Sequence, residues 1–112
     1  MRTAREHAAA GARIAGVDAD DVAQVVGELA TNAFVHGNPT SPVVVSTHIA
    51  DGVFWVTVFA RQAPVELPPS VEDPDAESGR GLLITRALTT TFRCERRRGG
   101  YQAFVAGFAM PR

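Results

Sequence analysis

VVVSTHIADGVFWVTVFA, residues 43–60, decides the sheet. Its β-branched and aromatic residues read as two strands, 43–49 and 53–60, joined through Ala50-Asp51-Gly52, and Asp-Gly is a strong signal for a two-residue hairpin turn. Pairing through that turn sets Ile49 opposite Phe54, Thr47 opposite Val56 and Val45 opposite Val58, one face expected to meet the core. The other face then carries His48 opposite Trp55, Ser46 opposite Thr57 and Val44 opposite Phe59.

Upstream of the hairpin, residues 3–16 are alanine-rich with Arg5, Glu6 and Arg13 interspersed, which predicts a short helix ended near Gly16. Asp18 is a good N-cap for a second helix over 19–36, and Asp20 and Asp21 put negative charge where the helix dipole favours it. Gly37-Asn38-Pro39 should stop that helix. Downstream, residues 61–78 hold four prolines and the acidic cluster Glu72, Asp73, Asp75 and Glu77. A loop of that length is either a solvated acidic linker or a lid over a ligand. It leads into SGRGLLITRAL, residues 78–88, where Gly79 and Gly81 precede an apolar helix. TFRCERR (91–97), a turn at Arg98-Gly99-Gly100 and YQAFVAGFA (101–109) make a second hairpin. The order helix, helix, hairpin, loop, helix, hairpin predicts an α/β two-layer sandwich. One domain over 1–112 should place its helices on one face of a mixed, mostly antiparallel sheet.

Composition narrows the chemistry. A chain of 112 residues with 46% hydrophobic and 21% charged residues can bury a core unaided. Its formal net charge of −1 gives no reason to expect direct nucleic-acid or membrane binding. All 11 basic residues are arginines, which excludes a Walker-type phosphate loop, a Schiff base and a lysine general base. Cys94, alone, allows no internal disulfide and no cysteine zinc cluster, and reads as a small buried hydrophobe. The opening MRTAREHAAAGARIAG lacks the apolar run of a secretory signal, and no stretch reaches membrane-spanning length, so a cytoplasmic location is expected.

The polar residues of GELATNAFVHG, residues 27–37, fall in a pattern. Glu28, Asn32 and His36 recur at i, i+4 and i+8 along one helical stripe, beside the apolar face of Val22, Val25, Val26, Leu29 and Ala33. Taken alone, such a pair is explained by hydrogen bonds at the rim of a core, and His36 by a favourable helix C-terminus. A carboxylate and an amide oxygen one turn apart also suit Mg²⁺, a hard ion that takes few protein ligands, and a carboxylate so placed can act as general base. The second polar stretch converges on the same chemistry. Gly79 and Gly81 flanking Arg80 at a helix start can turn backbone N–H groups toward an anion, and Arg80 can add a bidentate phosphate contact.

The strings Glu28-Leu29-Ala30-Thr31-Asn32-Ala33…His36-Gly37 and Glu77-Ser78-Gly79-Arg80-Gly81-Leu82-Leu83 resemble the GHKL ATPase superfamily. More narrowly, they resemble its single-domain anti-sigma-factor serine/threonine kinases, common in actinobacteria, over nearly the whole chain. The resemblance implies a Bergerat ATP-binding fold with Mg·ATP held between the second helix, the long loop and the glycine turn. It implies that Glu28 acts as general base or orients a water, that Asn32 is the Mg²⁺ ligand, and that His36, Gly79, Arg80, Gly81 and Leu82 belong to the nucleotide pocket. Relatives usually have a strand before the first helix, so the first edge strand is expected to be missing. They also carry an aspartate after the strand matching 53–60 that recognises the adenine amino group. Here the sequence is Phe59-Ala60-Arg61-Gln62-Ala63-Pro64 with no acid before Glu66, leaving the Gln62 amide oxygen as the substitute acceptor.

Three functions follow from these features. The first is an ATP-dependent kinase that binds a sigma factor and phosphorylates an anti-sigma antagonist. The second is a sequestering module of the same fold without turnover. In the third, a structural subunit, the face bearing His48, Trp55 and Phe59 mediates a homodimer.

Overall fold

The computed structural model describes residues 2–36, 43–61, 77–97 and 101–111. Helices α1 (Arg2–Ala15) and α2 (Ala19–His36) precede the strands β1 (Val44–Ala50) and β2 (Val53–Arg61). Helix α3 (Glu77–Leu88) is followed by β3 (Thr91–Arg97) and β4 (Tyr101–Ala109). The strands form one sheet in the order β1-β2-β4-β3, and all of these pairings are antiparallel. This is the expected α/β sandwich; no parallel pairing occurs among the described strands. The expected stop at Gly37-Asn38-Pro39, the turn at 98–100 and most of the long loop lie outside the described residues.

The first hairpin has the register its turn dictates. Asp51 (φ 54°) and Gly52 (φ 74°) both take positive φ, as a type I′ turn requires, and Ala50 pairs with Val53 across it. Ile49–Phe54, Thr47–Val56 and Val45–Val58 then face the helices, and His48–Trp55, Ser46–Thr57 and Val44–Phe59 face away. Ile49 departs from its expected core role: it keeps its face but is 52% exposed. It sits at the end of an edge strand, where only one neighbouring strand can cover it.

The helix boundaries are set locally. Asp18 Oδ1 accepts from the backbone N–H groups of Asp20 (2.9 Å) and Asp21 (3.1 Å), the N-cap of α2. At the end of α1 the Gly16 N–H donates to the Arg13 carbonyl and the Val17 N–H to the Ala12 carbonyl, a Schellman closure with Gly16 at φ 77°. The core lies between helices and sheet. Ala8, Ala12 and Ala15 of α1 and Val22, Val25, Val26 and Leu29 of α2 pack with Phe54, Val56 and Val58 of β2 and Phe104 and Phe108 of β4. Cys94 is half-buried against this cluster, and burial pushes its thiol up to about 11, so it packs as the expected inert hydrophobe.

One boundary differs from expectation. Helix α3 already begins at Glu77, so Gly79, Arg80 and Gly81 belong to its first turns and do not precede it. Glycine costs a helix about 1 kcal/mol relative to alanine, which is why the sequence predicts a break there. Here each added residue extends a helix already anchored by packing on α2, and propagation is far cheaper than nucleation. Among the described residues, no helix is long and apolar enough to cross a membrane.

Candidate functional site

Helix α2 is unbroken from Ala19 to His36, so Glu28, Asn32 and His36 recur one turn apart, about 6 Å per step along its axis. Glu28 is half-buried beside the buried Val25, Leu29 and Ala30, at the border of the core as its spacing predicts. Its Oε1 accepts a hydrogen bond from Gln24 Nε2 at 3.0 Å. Gln24 was absent from the residues singled out by sequence, although its signal was present: it lies at i−4 from Glu28 and extends the same stripe by one turn. The bond restrains the carboxylate through one of its two oxygens. Asn32 falls in the penultimate turn of α2 and His36 ends it; their side chains lie outside the described residues.

The second half of the site is the start of α3, and α3 packs against α2. The two polar stretches, separated by a hairpin in sequence, therefore occupy neighbouring helices. At the N-terminus of any α-helix the first four N–H groups lack intrahelical acceptors and form the positive end of its dipole. In α3 these include the N–H groups of Glu77, Ser78 and Gly79. The side chains of Arg80 and Leu82 are not described, and Gln62 lies outside the described residues altogether.

These groups fit Mg·nucleotide in kind. A row of unpaired N–H donors at a helix start is a ready anion site. Among the described residues no group of three or more His, Cys, Asp or Glu side chains could cage a metal ion.

The opposite end of α3 holds an open cavity of about 310 Å³ lined by Arg86, Thr89, Thr90, Thr91 and Phe92. Its threonines serve the α3–β3 connection. Thr89 Oγ1 donates to the Thr85 carbonyl at 2.8 Å, and Thr90 Oγ1 accepts from the Ala109 N–H at 3.1 Å. The cavity lies a helix length away from the glycine-rich start and is separate from the candidate site.

Comparison with known proteins gives the same fold. The chain superimposes on the Acinetobacter baumannii histidine kinase AdeS with a TM-score of 0.65 and 17% sequence identity. The match covers 86% of this chain but 49% of that kinase, so the chain spans about half its length. No curated protein matches the chain in sequence. Residues 1–104, including Glu28, Asn32 and the whole of α3, match the family described as the histidine kinase-like ATPase domain. This chain belongs to the histidine kinase-like ATPase domain family.

Proposed function

We propose that the protein is an ATP-binding regulator of the anti-sigma-factor type, a serine/threonine kinase acting on an antagonist protein in partner switching. The observation that carries it is that the helix bearing the Glu28–Asn32–His36 stripe, α2, packs against the helix that begins with the glycine-rich stretch, α3, in a histidine kinase-like ATPase domain. When bound, Mg·ATP supplies the transferable phosphoryl group. Glu28 accepts the proton of the partner's serine hydroxyl, while Gln24 holds one carboxylate oxygen in place. Asn32 would contribute a hard oxygen to Mg²⁺, and the first-turn N–H groups of α3 with Arg80 would hold phosphate oxygens. Gly79 and Gly81 add no Cβ on that approach. Action in the cytoplasm, on a sigma factor and its antagonist, belongs to this proposal.

A second function is favoured by one sequence feature, the lack of an acid between Phe59 and Glu66. Without a carboxylate for the adenine amino group, a module that sequesters its partner with little or no turnover is the alternative.

Calorimetric titration of ATP and ADP, with and without Mg²⁺, into the parent and Glu28→Gln proteins separates the two. The kinase requires nucleotide binding that survives Glu28→Gln, together with a fall of about 10²–10⁴-fold in phosphoryl transfer to a co-purified partner. Intact partner binding with no transfer by the parent would leave the sequestering module.

A further inference from the structure

The sheet face turned away from the helices carries a constellation that the nucleotide site does not use. Trp55 lies flat across β4 at Gly107, where even a Cβ would come within 2.8 Å of its Cζ3. His48 from β1 stacks beside it, with ring centroids 6.2 Å apart and planes at 16°. From the far edge, β3 sends two arginines back over β4. The Arg93 guanidinium carbon sits 5.4 Å from the Trp55 ring centre, and that of Arg97 5.0 Å from Phe59. Glu95 stands between them, accepting from Arg93 Nε at 2.6 Å and Arg97 Nη2 at 2.9 Å.

Each arginine is thus held twice, by a ring and by a carboxylate, yet the two side chains remain 53% and 45% exposed. A guanidinium has five N–H donors in a rigid fork, and each of these contributes one to Glu95. Rotamer entropy usually spent on ordering an arginine at an interface has here been spent already on folding. Arg93 and Arg97 are four residues apart on one strand, so their bases stand about 13 Å from each other. Between and beside them lie Trp55 and Phe59, a partly exposed aromatic floor. Aromatic anchors with fixed arginines are the residue types that dominate binding energy in protein interfaces.

From these contacts we infer that this face docks an acidic, amphipathic segment of another protein. Its apolar side chains lie on Trp55 and Phe59, and its carboxylates take the outer edges of Arg93 and Arg97. Charge complementarity selects this occupant. A nucleic-acid backbone binds through a run of cations that neutralise successive phosphates, whereas this face offers two arginines sharing one carboxylate, beside aromatic rings suited to apolar side chains, on a chain of formal charge −1. A second copy meeting this face about a two-fold axis would oppose arginine to arginine. The inference does not depend on nucleotide binding.

Trp55 is the sole tryptophan, so its emission reports on this face directly. The full chain is titrated with an amphipathic Leu/Glu peptide of about 20 residues, its Leu/Lys counterpart, and a thymidine oligonucleotide of similar length. The expected result is a change in Trp55 emission with the acidic peptide, bound at least about 10-fold tighter than either other probe. Arg93→Ala and Arg97→Ala should each weaken it by about 10-fold or more. Thermal melts check that both variants fold, and Arg93→Lys keeps the charge while losing the planar fork, so it should also bind more weakly. The inference is overturned by absence of acidic-peptide binding, by equal or tighter binding of the lysine peptide or the oligonucleotide, or by arginine variants that bind like the parent. It is equally overturned if sedimentation shows a dimer whose dissociation, and not peptide, changes the Trp55 emission.

Discussion

On the helix-facing side of β2, Phe54, Val56, Val58 and Ala60 are buried against α1 and α2, whereas on its other side Trp55 and Phe59 are half-buried and lie under arginines. Both sides nevertheless keep residues out of water: Thr57, Ala103 and Val105 project away from the helices and are as buried as much of the core. The helix side is held by non-directional burial, worth about 25 cal/mol per Å² of apolar surface and tolerant of small shifts. On the open side, flat rings and planar guanidiniums must keep their geometry, and a tile displaced there exposes whatever it covered. One set of strands can therefore be robust on one face and specific on the other.

The largest effect should come from the helix side. Phe54→Ala removes a fully buried ring and should cost about 3–5 kcal/mol in urea unfolding. A loss below about 1 kcal/mol would mean that this face is not the main core. On the open side, Gly107→Val places a branched side chain into the space taken by Trp55 and Val53. It should cost about 1–3 kcal/mol and shift Trp55 emission to longer wavelength as the ring leaves the sheet. Unchanged emission would break the view of Trp55 as a fitted tile.

The smallest effect belongs to the ion pairs. Glu95→Gln should cost less than about 1 kcal/mol, since the pairs are partly exposed, and the difference should vanish near ~1 M salt. Hydrogen bonds from Arg93 and then Arg97 hold the Glu95 carboxyl below its ordinary value of 4.5. A carboxyl with a depressed native pKa contributes its stability fully above the ordinary value and loses it as pH falls through the native one. The parent should therefore lose its small advantage over Glu95→Gln only below about pH 4.5, as measured by paired melts. An advantage that persists to lower pH or survives high salt would place the pair in a drier setting than its exposure indicates.

Much of the candidate site was legible because its spacing is local. Glu28, Asn32 and His36 fall on one stripe by helical period alone, and Gln24 could have been found by stepping back one more turn. The start of α3 was less legible, because glycine weighs against a helix locally while packing on α2 favours it from a distance. Ile49 shows the same limit: alternation fixed its face but carried no information about the edge position that exposes it.

By itself the sequence determined what short-range geometry controls: the positive-φ turn at Asp51-Gly52 and with it the β1–β2 register, the Asp18 cap, the Gly16 closure and the polar stripe of α2. Tertiary structure alone decided the tiling of the open face. Trp55 and Arg93 are distant in sequence, and they meet because β4 enters between β2 and β3 with its smallest residue, Gly107, beneath the ring. Alternation along a strand assigns a residue to a face, but strand order decides which strand lies between two others and hence which side chains can reach across it.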